Sequence, residues 1–104
     1  MKLMFTDRMM LMGILPATGS FTTLKIVRKL REDLAPSEKE IKEMSIVEKP
    51  EDGQVLWNSD KDLGKDIKIG EIATEMIKKK LKEMNDKEEL TPNHMGIYEI
   101  FVGD

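Results

Sequence analysis

The run "DKDLGKDIKIGE", residues 60–71, holds the carboxylate spacing that comes nearest to a metal site. Counted as a calcium loop, Asp60, Asp62 and Asp66 fall at the first, third and seventh positions, and Glu71 at the twelfth, where a bidentate carboxylate belongs. The pattern breaks at the bend. The sixth position needs Gly for its backbone and holds Lys65, with Gly64 one residue early, and the fifth ligand is missing. The expectation is a solvated loop whose Glu71 enters the first turn of a helix, where the helix dipole favours a carboxylate. His94 is the single histidine, three residues after Thr91. No nucleophile elbow or acid pair can be placed beside it, and one imidazole cannot build a zinc site. "PATGS" lacks the following Gly-Lys-Ser/Thr of a phosphate cradle, and Glu51 and Asp52 fall in an expected turn. The chain has no Cys, which removes disulfides and thiol chemistry together and is compatible with a reducing cytosol. No catalytic residue, cofactor or metal is expected.

A second stretch, "TGSFTTLKIVRKLREDL", asks about phosphate instead. Lys25, Arg28 and Lys29 are the candidate nucleic-acid contacts, behind a Ser/Thr-rich start that can cap a helix. Net charge is −3, unevenly spread: residues 1–34 are +3 and residues 35–104 are −6. A protein that lives on phosphate backbones carries a basic excess, so any basic footprint here is local.

The elements that must position these residues follow from periodicity. Length fits one domain, residues 1–104, and with 39% hydrophobic residues but only five aromatic ones the core must be aliphatic and Met-filled. Thr6 and Asp7 open a helix of about residues 6–15 that Pro16 ends. It is apolar nearly all round, so it must be central or covered by a partner. Its Met9, Met10 and Met12 are the candidate protein-interaction residues, because thioethers make adaptable contacts. Asp7 and Arg8 interrupt the N-terminal apolar run, and Met9 to Leu15 is too short to span a bilayer, so no signal peptide or membrane anchor is expected. Residues 22–34 form an amphipathic helix, with Leu24, Val27, Leu30 and Leu34 inward. Ser37 and Glu40 form the capping box of a short helix through about Met44, with Ile41 and Met44 inward. "SIVEK" and "QVLWN", joined by "PEDG", read as a β-hairpin of residues 45–58, with Pro50 presetting the turn and Gly53 taking positive φ. "DIKIG" reads as a further short extended piece. A helix of residues 70–85 follows, with Ile72, Ala73, Met76, Ile77, Leu81 and Met84 on its apolar face and Lys80 snorkelling from it. Thr91 and Pro92 open a terminal helix with Met95, Tyr98, Phe101 and Val102 at core spacing. The fold class is therefore α+β, mainly α, with five helices and one small hairpin.

Helix, helix, short helix and hairpin over residues 6–58 also resemble the order of a winged helix-turn-helix. The helix that would read DNA, "SEKEIKEM", is acidic and lacks Arg, Asn and Gln, and the wing tip "EKPEDG" would repel phosphate. Over nearly its full length, through "ILPATGSFTTLKIVRKLREDL", "SEKEIKE", "VLWN", "IGEIATEMIKKKLKEMN" and "LTPNHMGIYEIF", the chain is similar to small uncharacterised phage and prophage proteins. That resemblance implies a cytoplasmic accessory protein of a bacterial or infected host cell and carries over no functional residue. The expected function is a small non-catalytic protein-interaction module that self-associates or modulates a host protein. A winged-helix-like nucleic-acid binder is the alternative.

Overall fold

A helix apolar on nearly every side needs neighbours all round, and the first helix has them. In the computed structural model, which describes residues 1–104 except Pro50, Asp52 and Asp104, α1 (Phe5–Ile14) packs against α2 (Phe21–Leu34), α4 (Glu71–Asp86) and α5 (Met95–Phe101). Leu11 and Ile14 are buried in the main core with Val27, Leu30, Leu34, Ile77, Leu81, Ile97 and Phe101, while Met10 and Met12 lie half-buried against it. Between α2 and the hairpin comes α3 (Glu38–Glu43). The fold is α+β and mainly α, as expected: five α-helices and two small antiparallel sheets among the described residues.

One sheet is the expected hairpin, β2 (Val47–Lys49) with β3 (Gln54–Leu56), in the register Val47 to Leu56 and Lys49 to Gln54. Gly53 takes φ +65°, the left-handed conformation that the turn requires. The turn roles given to Pro50 and Asp52 lie outside the described residues. The second sheet is an addition: β1 (Lys2–Leu3) pairs with β4 (Lys65–Asp66). Two residues of strand carry no periodic signal, and this pairing is created by the chain returning over sixty residues later. Gly64, at φ +77°, makes the return. A Cβ there would come within 2.7 Å of Lys2 Cε and 3.2 Å of Met4 Sδ.

Helix ends bring one correction and one agreement. The first helix begins at Phe5 with Met4 at its N-cap and not at Thr6. Its capping acceptor is distant: Asp62 Oδ2 accepts the Phe5 N–H at 2.7 Å, and Asp62 Oδ1 accepts the Gly64 N–H at 3.0 Å. The third helix follows its capping box, with Ser37 Oγ accepting the Glu40 N–H and Glu40 accepting the Ser37 N–H. It stops where Ser45 turns left-handed and the Ile46 N–H bonds back to the Ile41 carbonyl. The Asn58 N–H then bonds the Met44 carbonyl, which ties the end of the hairpin to α3.

Several side chains depart from the inward faces that periodicity predicts. Leu24, Ile41, Ile72 and Met95 are exposed, and Ile97 takes a core place at the last helix. A period marks a face; how much of it is covered depends on which neighbours arrive. At α4 the stripe is wider than α1, α2 and α5 cover, and Ile72 is left 67% exposed.

Candidate functional site

The most conspicuous polar constellation is structural. Arg8 is 1% exposed, the one charged side chain in the buried class among the described residues. Its guanidinium donates from Nε to the Leu34 carbonyl at 2.9 Å, from Nη2 to the Ala35 carbonyl at 3.0 Å, and from both Nη atoms to the two oxygens of Glu40. These acceptors close the C-terminus of α2 and hold the N-terminus of α3 against α1. The guanidinium also lies over the Phe5 ring, which meets Trp57 edge-to-face at 4.9 Å between centroids. Arg8 hydrogen-bonding holds the Glu40 carboxyl down at about 2, with the Ser37 N–H and the Lys65 charge adding to it against the effect of burial. Four of the five N–H donors of Arg8 are thus spent on the fold. Sequence reading took this residue as an interruption of the apolar run; its partners lie 26 to 32 residues downstream.

The acids of residues 60–71 do not converge. Asp62 caps α1, Asp66 sits beside the Met1 amino group, Asp60 lies in a 3-10 turn (Ser59–Lys61), and Glu71 is in the first turn of α4. Among the described residues no three His, Cys, Asp or Glu side chains are grouped to hold a metal. Burial raises the carboxyl of Asp7 above its ordinary value, the Met4 N–H opposes this, and the nearby Asp62 charge adds to the rise. Asp7 packs against Gly96 of α5, where a Cβ would meet its Oδ1 at 2.6 Å. His94 is also used locally: its Nδ1 accepts the Thr91 N–H at 2.9 Å and sits 3.0 Å from the Thr91 hydroxyl, closing the 3-10 turn (Pro92–His94) that leads into α5.

The candidate interaction residues Met9, Met10 and Met12 are half-buried, and Met10 and Met12 rest on the core. Met10 lines a groove of about 430 Å³ with Ile14, Lys80, Met84 and His94. Met10 and Met12 therefore contribute to packing around α1.

The candidate nucleic-acid residues are divided by the shape of α2. All three are exposed. Arg28 lines one side of the helix with Leu24 and Arg31. Lys25 and Lys29, four residues apart and so on one face, line the other. There the N-terminal end of α4 lies across α2 and leaves a groove of about 590 Å³. Ile26, Leu30, Ile69 and Ala73 form its floor, Ile72 stands at its edge, and Lys25, Lys29 and Lys68 rim it. Asp33 and Glu71 are its acids; Asp33 is engaged by Lys29 at 2.9 Å, whereas Lys25 and Lys68 have no ion pair among the described residues. Gly70 at the α4 N-cap has no side chain to cap the helix. This groove joins residues 25–33 to residues 68–73, and sequence reading missed it. The available signal was the excess width of the α4 apolar stripe at Ile72, together with "IKIG" just before it.

No helix among the described residues is long and apolar enough to cross a membrane. Comparison with family models, with curated proteins and with solved structures gives no match to this chain, so the groove between α2 and α4 has to be interpreted from its own geometry.

Proposed function

We propose that this chain is a small non-catalytic protein-interaction module that binds another protein through the groove between α2 and α4. The carrying observation is the groove itself: an apolar floor of two half-buried isoleucines, Leu30 and Ala73, left open at the surface with Ile72 standing out from its edge. Large apolar side chains collected at an open groove are a recognition surface, because covering them removes apolar area from water at about 25 cal/mol per Å². The polar groups that resemble active-site groups support the same reading, since Arg8, Glu40, Asp62 and Nδ1 of His94 make their hydrogen bonds to helix ends and turns. A cytoplasmic phage or prophage setting rests on the resemblance of the sequence runs alone.

The test is a peptide-display selection against the immobilised chain, followed by binding of the enriched peptides to the Ile72→Asp chain. Enriched peptides that lose binding to that chain uphold the proposal. Indifference to Ile72→Asp overturns the groove as the site. A dimer by light scattering that survives Ile72→Asp would move the interface to Met9, Met10 and Met12. Salt-dependent binding of a DNA duplex that Lys25, Arg28 and Lys29 substitutions abolish would replace the proposal by the nucleic-acid reading, whose support is that all three side chains are exposed on α2.

A further inference from the structure

Resting on the groove being the docking site, we infer that its occupant is an acidic amphipathic helix of another protein, anchored by apolar side chains on one face and carrying Asp or Glu on the flanks. Three observations lead there. One wall of the groove is α2, whose backbone groups are bonded within the helix, and the other is residues 68–70 with the first turn of α4. An extended segment laid along α2 would bury its own N–H and C=O groups without partners on that side, whereas a helix brings its backbone already satisfied. The length fits too. On α2 the lining runs from Lys25 to Asp33, about 12 Å at 1.5 Å per residue, which two turns of a partner cover with anchors at i, i+3 or i+4, and i+7.

Charge sets the sign. Lys25 and Lys68 stand on the rim without an ion pair among the described residues, Lys29 shares its charge with Asp33, and Glu71 is the remaining acid. The rim is thus positive in a chain whose net charge is −3. Acids on the partner's flanks find two lysine partners; basic flanks meet only repulsion beyond Glu71. A second copy of this chain is a poor occupant. Of its helices, α3 exposes one large apolar side chain, Ile41, and spends Glu40 on Arg8, while α5 exposes Met95 and Ile100 but carries a single acid, Glu99.

The experiment uses two synthetic helical peptides of about 18 residues, with the same leucine stripe and either Glu or Lys at the flanking positions. Binding to the intact chain is followed by amide chemical shifts and by anisotropy at about 50 and 300 mM salt, a range over which screening changes strongly. The expected result is that the Glu peptide shifts Ile26, Ile69 and Ile72. It should bind the Lys25→Glu/Lys68→Glu chain about ten-fold more weakly, while the Lys peptide gains on that chain. These lysines are exposed, so the doubly substituted chain keeps its fold, which its amide spectrum checks. Equal binding of both peptides at the groove overturns the acidic preference and leaves the groove as a docking site. Shifts at the groove from neither peptide, together with loss of the display selection's dependence on Ile72, overturn both. A DNA duplex that shifts these same residues overturns the helix as occupant.

Discussion

Replacing Glu40 by Gln removes one charge from the Arg8 cluster with little change of shape, and its effect can be worked from the structure. The carboxyl is 20% exposed and held at about 2 against its usual 4.5, chiefly by hydrogen bonds from Arg8. At 1.36 kcal/mol per pH unit that displacement corresponds to about 3 kcal/mol of folding stability. The sign follows from a folded-state value below the unfolded one. The contribution is complete above the unfolded value, fades as pH falls from about 4.5 toward 2, and is lost below that. Glu40→Gln should therefore be about 3 kcal/mol less stable than the natural chain at pH 7, a large part of the ~5–15 kcal/mol typical of a domain, and the two should converge near pH 2. Urea unfolding from pH 2 to pH 7, followed by circular dichroism, measures both quantities, and the difference between the two chains cancels the other carboxylates. A difference below about 1 kcal/mol at pH 7, or one that does not shrink in acid, would refute the reasoning, because an intact buried ion pair cannot lose its anion so cheaply. The Arg8→Met/Glu40→Leu chain gives the complementary check: with both charges gone no guanidinium is left unpaired, and much of the loss should be recovered.

Substitutions at four further positions have expected outcomes in thermal or chemical unfolding. Gly13→Ala, in α1 at a position where a Cβ meets nothing within 4 Å, should stabilise by about 0.5–1 kcal/mol through helix propensity, seen as a rise in Tm. Gly64→Ala should cost clearly more than Gly53→Ala: both force a side chain into the left-handed region at about 1–2 kcal/mol, but only at Gly64 does the new Cβ also collide with Lys2 and Met4. Ser20→Ala removes the hydroxyl that accepts the Thr23 N–H at 3.1 Å at the head of α2 and should cost about 1 kcal/mol, whereas Ser20→Asp should restore it.

What could be read from the sequence was what neighbours in the chain decide together. The Ser37 and Glu40 box, Gly53 in the hairpin turn, Thr91 before Pro92, and the buried Val27, Leu30 and Leu34 stripe are all local patterns that the structure repeats. The residues that escaped are those whose partners are remote. Lys2 and Leu3 become a strand only because Lys65 and Asp66 return to them. Arg8 is buried only because the end of α2 and the start of α3 supply acceptors. Phe5 begins a helix because Asp62 caps it. The groove belongs to this second class: Lys25 and Lys29 on one helix face were legible as a pair, but nothing near them in the chain announces Ile69 and Ile72.

The central position of α1 also dictates an order of events at synthesis. This helix is made before the helices that enclose it, and of these α4 and α5 come last. At ~5–20 residues per second, on the order of ten seconds pass between the first helix leaving the ribosome and the last one arriving. During that interval a Met-rich segment that is sheathed in the finished molecule lacks two of the helices that cover it. Cooperative folding must wait for the C-terminal third, and nascent chains cut short before Glu71 would present this helix as an adhesive surface to chaperones and to one another.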